Sequence, residues 1–167
     1  MLRKVMLLAA ALAMVLAYAV PAFAQNEHFV RASGSLNNNG SLTVSFKEAG
    51  LGTNQLIDYT LTADATATYV CVNRGGANPS ASNKTTVSGP VSASGTFSSG
   101  KNGQVTASLT VSPPPSDISC PPGQSLELAS VTYTNVTLTD TTNNISIELG
   151  DFSSGCLLPN VRGACTP

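Results

Sequence analysis

Ile57-Asp58-Tyr59-Thr60-Leu61-Thr62-Ala63-Asp64-Ala65-Thr66-Ala67-Thr68-Tyr69-Val70-Cys71-Val72-Asn73 is the stretch whose reading decides the fold. From Ile57 to Tyr69 every odd position is apolar, small or tyrosine, and every even position is Asp or Thr. A period of two assigns the first set to one face of a strand and the second to the other. Ala63, Ala65 and Ala67 are poor strand formers, so close packing against a second layer is expected there rather than an exposed edge. Val70 and Val72 are apolar on the opposite parity. Both faces of the strand's end are therefore expected to be covered, and Cys71 marks where it is tied to another segment.

Towards the N-terminus, Val30, Ala32, Gly34 and Leu36 share one parity, and Leu42, Val44 and Phe46 follow Asn37-Asn38-Asn39-Gly40. Asn-Gly between alternating runs predicts a hairpin, because both residues tolerate positive φ. Glu48 to Asn54 reads as a loop rich in turn formers. Beyond the long strand, 73–84 has no periodicity and carries Gly75-Gly76 and Asn78-Pro79, the mark of an exposed loop. Val91, Ala93, Gly95 and Phe97, then Val105, Ala107, Leu109 and Val111, flank Ser98 to Gly103 and predict a second hairpin. Pro113-Pro114-Pro115 ends it, since proline cannot donate to a ladder. Leu126, Leu128, Val131 and Tyr133 are followed by Val136 and Leu138 on changed parity, which predicts a β-bulge near Thr134-Asn135. Ile145, Ile147 and Leu149 form the last strand. Seven or eight such strands without a helical period imply an all-β, Ig-like or Greek-key sandwich, with a closed barrel as the rival.

The first 24 residues read as an export signal: Arg3 and Lys4, an uncharged stretch from Met6 to Val20, and the small-x-small site Ala22-Phe23-Ala24. The expected organisation is a signal over 1–24, one sandwich domain over 25–152, and a disulfide-stapled tail over 153–167. The chain has eight Lys and Arg against nine Asp and Glu; losing Arg3 and Lys4 leaves six cations and a net charge of −3. Single scattered cations make no phosphate-tracking stripe, so nucleic acid is not an expected partner. After signal cleavage no membrane association is expected, and the chain is expected to be a secreted monomer at the cell envelope or beyond. Four cysteines in an exported chain read as two disulfides, with Cys71–Cys120 and Cys156–Cys165 the favoured pairing. In the chain-entropy account the first closes about 50 residues, worth roughly 4 kcal/mol, and the second about ten, worth roughly 2.7 kcal/mol. A zinc site would want a Cys-x-x-Cys pair, which is missing.

Chemistry-bearing residues are sparse. His28 is the single histidine and lies at the start of the mature chain, so a Ser-His-Asp or Cys-His arrangement is badly supported. Asp58 and Asp64 share a strand face without a visible partner carboxylate. Asp140, Asn143 and Asn144 could form a loose calcium loop, although turn formation already explains them. No cofactor and no metal are expected. Tyr59, Tyr69 and Tyr133 fall at core parity and are poorly placed as sugar platforms. Cys156 to Cys165 encloses Leu158, Val161 and Arg162, and such a pre-organised loop could enter a protease cleft, Arg162 then setting specificity; a simple staple is the plainer explanation.

Cys71-Val72-Asn73-Arg74-Gly75-Gly76, Gly95 to Gly103, Val105 to Val111 and Ser119-Cys120-Pro121-Pro122-Gly123-Gln124 together resemble a group of small exported bacterial β-sandwich proteins of unassigned function. The resemblance spans about a third of the chain and implies a secreted β domain whose cysteines flank a central hairpin. The functional expectation is a secreted, non-catalytic binding, cell-surface or matrix component with a protein or glycan partner. Its alternatives are a protease inhibitor or effector presenting 156–165, and a hydrolase whose acids converge only in three dimensions.

Overall fold

The computed structural model describes residues 26–77 and 83–165. The expected signal over 1–24 and the centre of the 73–84 loop lie outside the described residues. Seven strands follow one another: β1 (His28–Leu36), β2 (Leu42–Ala49), β3 (Leu56–Asn73), β4 (Lys84–Ser98), β5 (Gln104–Val111), β6 (Gln124–Asp140) and β7 (Ile145–Ser153). They form two antiparallel sheets, β1-β2-β5 and β4-β3-β6-β7. The sheets stack as a sandwich, and the barrel alternative is not realised. β3 is the quoted stretch with Leu56 added, 18 residues long and paired on both edges.

The odd face of β3 looks inward. Ile57, Tyr59, Leu61, Ala63, Ala65 and Ala67 are buried against Leu42, Val44 and Phe46 of β2 and Val105, Leu109 and Val111 of β5. Each fully buried Leu, Val or Phe contributes about 1.5–3 kcal/mol from removal of apolar surface from water. The aromatic centre is Phe46 against Tyr59, with ring centroids 4.6 Å apart, flanked by Phe29 and Phe97. The β1–β2 hairpin forms as expected, with Gly40 at φ 82° donating its N–H to the Asn37 carbonyl. A side chain at Gly40 would meet Leu128 of β6 at 2.3 Å, and the Tyr133 hydroxyl donates to the Gly40 carbonyl at 2.8 Å. The positive φ and the close approach of Leu128 both call for glycine there.

Two expectations are corrected. The run 91–111 is not a hairpin: β4 pairs with β3 and β5 pairs with β2, so the chain crosses between sheets at 99–103. The crossing is held by contacts outside both strands: Leu51 N–H donates to the Gly103 carbonyl, and Ser99 donates its hydroxyl to the Gly52 carbonyl. Alternation alone cannot tell a hairpin from a crossover. Val30, expected inward, is 52% exposed, because an irregularity between Phe29 and Arg31 turns Phe29 into the core instead. The larger ring gains contacts with Phe46 and Tyr59.

The expected bulge in β6 is present. Asn135 has a left-handed φ of 53°, and pairing slips by one residue between Thr134 and Thr137. A second extra residue, Ala129, lies opposite Thr68 and Tyr69, which accounts for the earlier parity change from Leu128 to Val131.

β3, β4 and β6 are about twice the length of β2 and β5, so one end of the larger sheet extends past its partner. Two segments cover that end. On the inner face, Cys71 bonds Cys120 and the Tyr69 hydroxyl donates to the Pro114 carbonyl at 2.8 Å. On the outer face, Ala164, Leu158 and Val161 pack on Val70, Val72 and Ala129. At the other margin β1 approaches β7, and a side chain at Gly34 would meet the Phe152 ring at 2.4 Å. Replacing Gly34 by Val should destabilise the sandwich by about 1–3 kcal/mol through overpacking. The same substitution should cost measurably less in a Phe152→Ala background, as read by urea denaturation of the four variants of a double-mutant cycle.

Candidate functional site

Three places concentrate polar chemistry. The broadest is the outer face of the larger sheet, where the even positions of β3 meet hydroxyls of β4. Thr60 pairs with Ser94 at 2.9 Å, Thr66 with Ser88 at 2.9 Å and Thr68 with Thr86 at 3.2 Å; Thr139 and Ser146 repeat the pattern on β6 and β7 at 2.9 Å. Cross-strand hydroxyl pairs of this kind hold each other in fixed orientations. Asp58 accepts a hydrogen bond from Thr96, and Asp64 accepts one from the Asn135 side chain at 2.8 Å. Beside the bulge at Asn135 lies a shallow depression of about 350 Å³ bounded by Thr62, Asp64, Pro90, Ser92 and Asn135. A carboxylate, an amide, two hydroxyls and an apolar ring thus line one concavity.

The second place lies inside the sandwich. Glu48 of β2 is 0% exposed, and so is Asp140 of β6; they come from opposite sheets and meet beside Tyr59 of β3. Neither Glu48 carboxyl oxygen and not the Tyr59 hydroxyl has a hydrogen-bond partner. Burial pushes the Glu48 carboxyl up to about 7; the Tyr59 hydroxyl offsets part of this without a formed bond, and the Asp140 carboxyl adds to the rise. Burial also pushes the Tyr59 phenol up, with Glu48 adding to it. The Asp140 carboxylate is occupied by its own turn, accepting from the Thr142 and Asn143 backbone N–H groups and the Asn143 side chain at 2.7–2.9 Å. That turn engages the oxygens a loose calcium loop would have used. Two acids converge here, closed off from solvent.

The third is the stapled tail. Both favoured disulfides are present, Cys71–Cys120 and Cys156–Cys165, and no described cysteine is free. Leu158 and Val161 turn towards the sheet, whereas Arg162 is exposed. The Arg162 backbone N–H reaches the Gly76 carbonyl at 3.3 Å, and Arg162 bridges in parallel to Ala77. His28 is exposed at the start of β1, its Nδ1 at 2.7 Å from the Asn26 carbonyl. Asp58 and Asp64 share the outer face as expected, and each is engaged by a side chain of its own sheet rather than by another acid.

Glu48, expected at the start of a loop, is instead an inward residue of β2: Leu42, Val44 and Phe46 share its parity, and one further step puts Glu48 inside.

No known protein family, curated protein or solved structure matches the chain. The resemblance to small exported bacterial proteins therefore rests on the quoted residues alone. The two disulfides point to oxidising, extracellular-type surroundings.

The tail's role as a cover is testable. Replacing Cys156 and Cys165 by serine should speed amide exchange across 156–165 and at Val70 and Ala129, and leave β2 and β5 protected. Peptide-resolved exchange by mass spectrometry reads this, and a uniform loss across all strands would count against a local staple.

Proposed function

We propose that this protein is an exported, non-catalytic β-sandwich that binds an extracellular polymer, acting as a cell-surface or matrix component. The observation that carries the reading is the outer face of the larger sheet. Its hydroxyls are paired and oriented, and one concavity sets the Asp64 carboxylate and Asn135 amide beside Ser92, Thr62 and the Pro90 ring. Groups that accept and donate at fixed positions beside a small apolar surface suit the hydroxyl-rich rim of a glycan, and rigid hydroxyls add little ordering cost on binding. Between the two partner classes expected from the sequence, this chemistry favours glycan over protein.

The strand order supports an immunoglobulin-like reading. With the strands lettered A to G in chain order, A-B-E faces D-C-F-G, whereas the constant-type arrangement keeps D beside E. Neither disulfide joins B to F, so the likeness is one of topology. For the inhibitor alternative, Leu158 and Val161 would have to leave the sheet before the 156–165 loop could extend into a cleft. For the hydrolase alternative, the acids that do converge, Glu48 and Asp140, would first have to become accessible.

Two experiments test the proposal. Export should release a chain beginning at Gln25 by N-terminal sequencing; recovery of the product with Met1 still attached would overturn the export reading. The mature protein should co-sediment with insoluble envelope polysaccharide from its own source, and Asp64→Ala should weaken retention by about tenfold, equivalent to about 1.4 kcal/mol. Absence of retention, or release of soluble sugars by the purified protein, would overturn the binding reading.

A further inference from the structure

Among the described residues, buried side chains pair well except at one end of the sandwich, where Glu48 and Tyr59 meet beside Asp140. Glu48 is 0% exposed with both oxygens unpartnered, and the Tyr59 hydroxyl beside it is unpartnered as well. Such groups are expensive in a protein interior: an unpaired buried polar atom loses its water without replacement, and an unpaired charge loses far more. The groups that act on Glu48 are Tyr59 from β3, Asp140 from β6 and Glu27 just before β1. From β1 and β5, its register neighbours are Phe29 and Val105, neither titratable. The cations nearest in sequence do not help, because Arg31 and Lys47 lie on the opposite parity, on the outer side of the smaller sheet with Ser33, Ser45 and Thr106. Among the described residues, every titratable group acting on Glu48 is therefore acidic or phenolic.

We propose that Glu48 is a proton-operated clasp between the two sheets: neutral, it lets this end of the sandwich close, and ionised, it forces the end to open to water. The elements that would loosen are the start of β1, the 50–55 loop and the turn after β6. Hydrogen bonds and no disulfide join them there, among them Leu51 N–H to the Gly103 carbonyl, Asn54 N–H to the Gly100 carbonyl, Ser99 N–H to the Gln55 carbonyl and Thr141 N–H to the Asp58 carbonyl. The other end is held by the Cys71–Cys120 bond and the stapled tail, so opening is confined to one end.

The sign follows from linkage. The folded protein holds the Glu48 proton more tightly than the unfolded chain, at about 7 against 4.5. The stabilisation is complete below pH 4.5 and is lost as pH rises through 7, by up to about 300-fold in the closed-to-open ratio well above that. A protein outside the cell meets both sides of this range without a buffer of its own. A rise from acid to neutral surroundings would then loosen the β1 end while the outer sheet, the surface proposed above for glycan, stays formed.

The experiment uses the mature, oxidised protein. The Glu48 side-chain carbon should titrate by NMR with a midpoint near pH 7, and a midpoint near 4.5 would overturn the clasp directly, whatever any variant does. Amide exchange, corrected for the intrinsic rate, should accelerate between pH 4.5 and pH 7.5 at Phe29, Glu48, Leu51 and Tyr59, level off above that, and not change at Val70 or Ala129. In Glu48→Gln that acceleration should vanish. Equal acceleration at both ends, or the same pH response in Glu48→Gln, would overturn it. So would protection of the wild type by millimolar calcium at pH 8.5 that Glu48→Gln abolishes, since a cation would then hold the site in place of the proton.

Discussion

β3 is hydrogen-bonded along both edges, to β4 from Leu56 to Val70 and to β6 from Tyr59 to Asn73. Its backbone groups are consumed by neighbours over almost its whole length, and its side chains must divide between a dry face and a wet one. The strict alternation of apolar residues with Thr and Asp meets that demand. Slipping the register by one would exchange the faces and bury six Asp and Thr side chains, which strongly specifies the pairing. The alanines at 63, 65 and 67 fit the same constraint, since β2 and β5 must come close enough to seal the sandwich. Where β2 and β5 end, β3 continues, and the chain supplies two other covers for it. The Pro113–Cys120 segment closes the inner face and the 156–165 loop closes the outer one. The two disulfides thus serve one purpose, to cap both faces of a strand that outruns its partner sheet.

This explains which parts of the fold could be read in one dimension. Face assignment is a local property, carried by parity, and it held for β2, β3, β5 and most of β6. The bulge at Asn135 leaves a parity change, and an even cysteine count in a chain read as exported implies two disulfides; the favoured pairing is the one formed, although spacing alone does not choose among the three. Pairing partners are non-local. The 91–97 and 105–111 runs look like hairpin arms, yet β3 offered β4 a longer ladder than β5 could, and β5 was already opposite β2. The misplacement of Val30 has a different cause. One irregular residue at the strand's start inverts the parity, and the deciding energy is the packing of Phe29 on two rings, which no alternation pattern contains.

The polar sites were legible to different degrees. Asp58 and Asp64 were correctly placed on one outer face, but their partners, Thr96 and Asn135, come from strands 38 and 71 residues away. Leu158 and Val161 read as loop residues offered to a partner; in three dimensions the uncovered end of β3 claims them. The Glu48–Asp140 encounter joins opposite sheets, so no spacing along the chain announces it. Each of its members was nonetheless on core parity: Glu48 with Phe46, Tyr59 with Ile57, Asp140 with Leu138. A polar residue at such a position is a local conflict; the turn after β6 satisfies Asp140, but Glu48 and the Tyr59 hydroxyl are left unpartnered, where Gln and Phe would fill similar volume at lower cost.

That conflict also separates two kinds of surface in the molecule. The hydroxyl pairs on the outer sheet agree with everything around them. They suit strands, satisfy one another and face water, so they stabilise the sheet modestly and can bind without reorganising it. Glu48 disagrees with its surroundings: the Tyr59 hydroxyl alone favours its charged form, against burial and the neighbouring acids. Departures of this kind from level-to-level consistency tend to mark function rather than folding. The division of labour we draw from the structure follows: a rigid outer sheet suited to contact, and at one end of the core a titratable group whose proton decides whether the layers stay together. Because the disulfides and the tail hold the opposite end, the second can change state without dissolving the first.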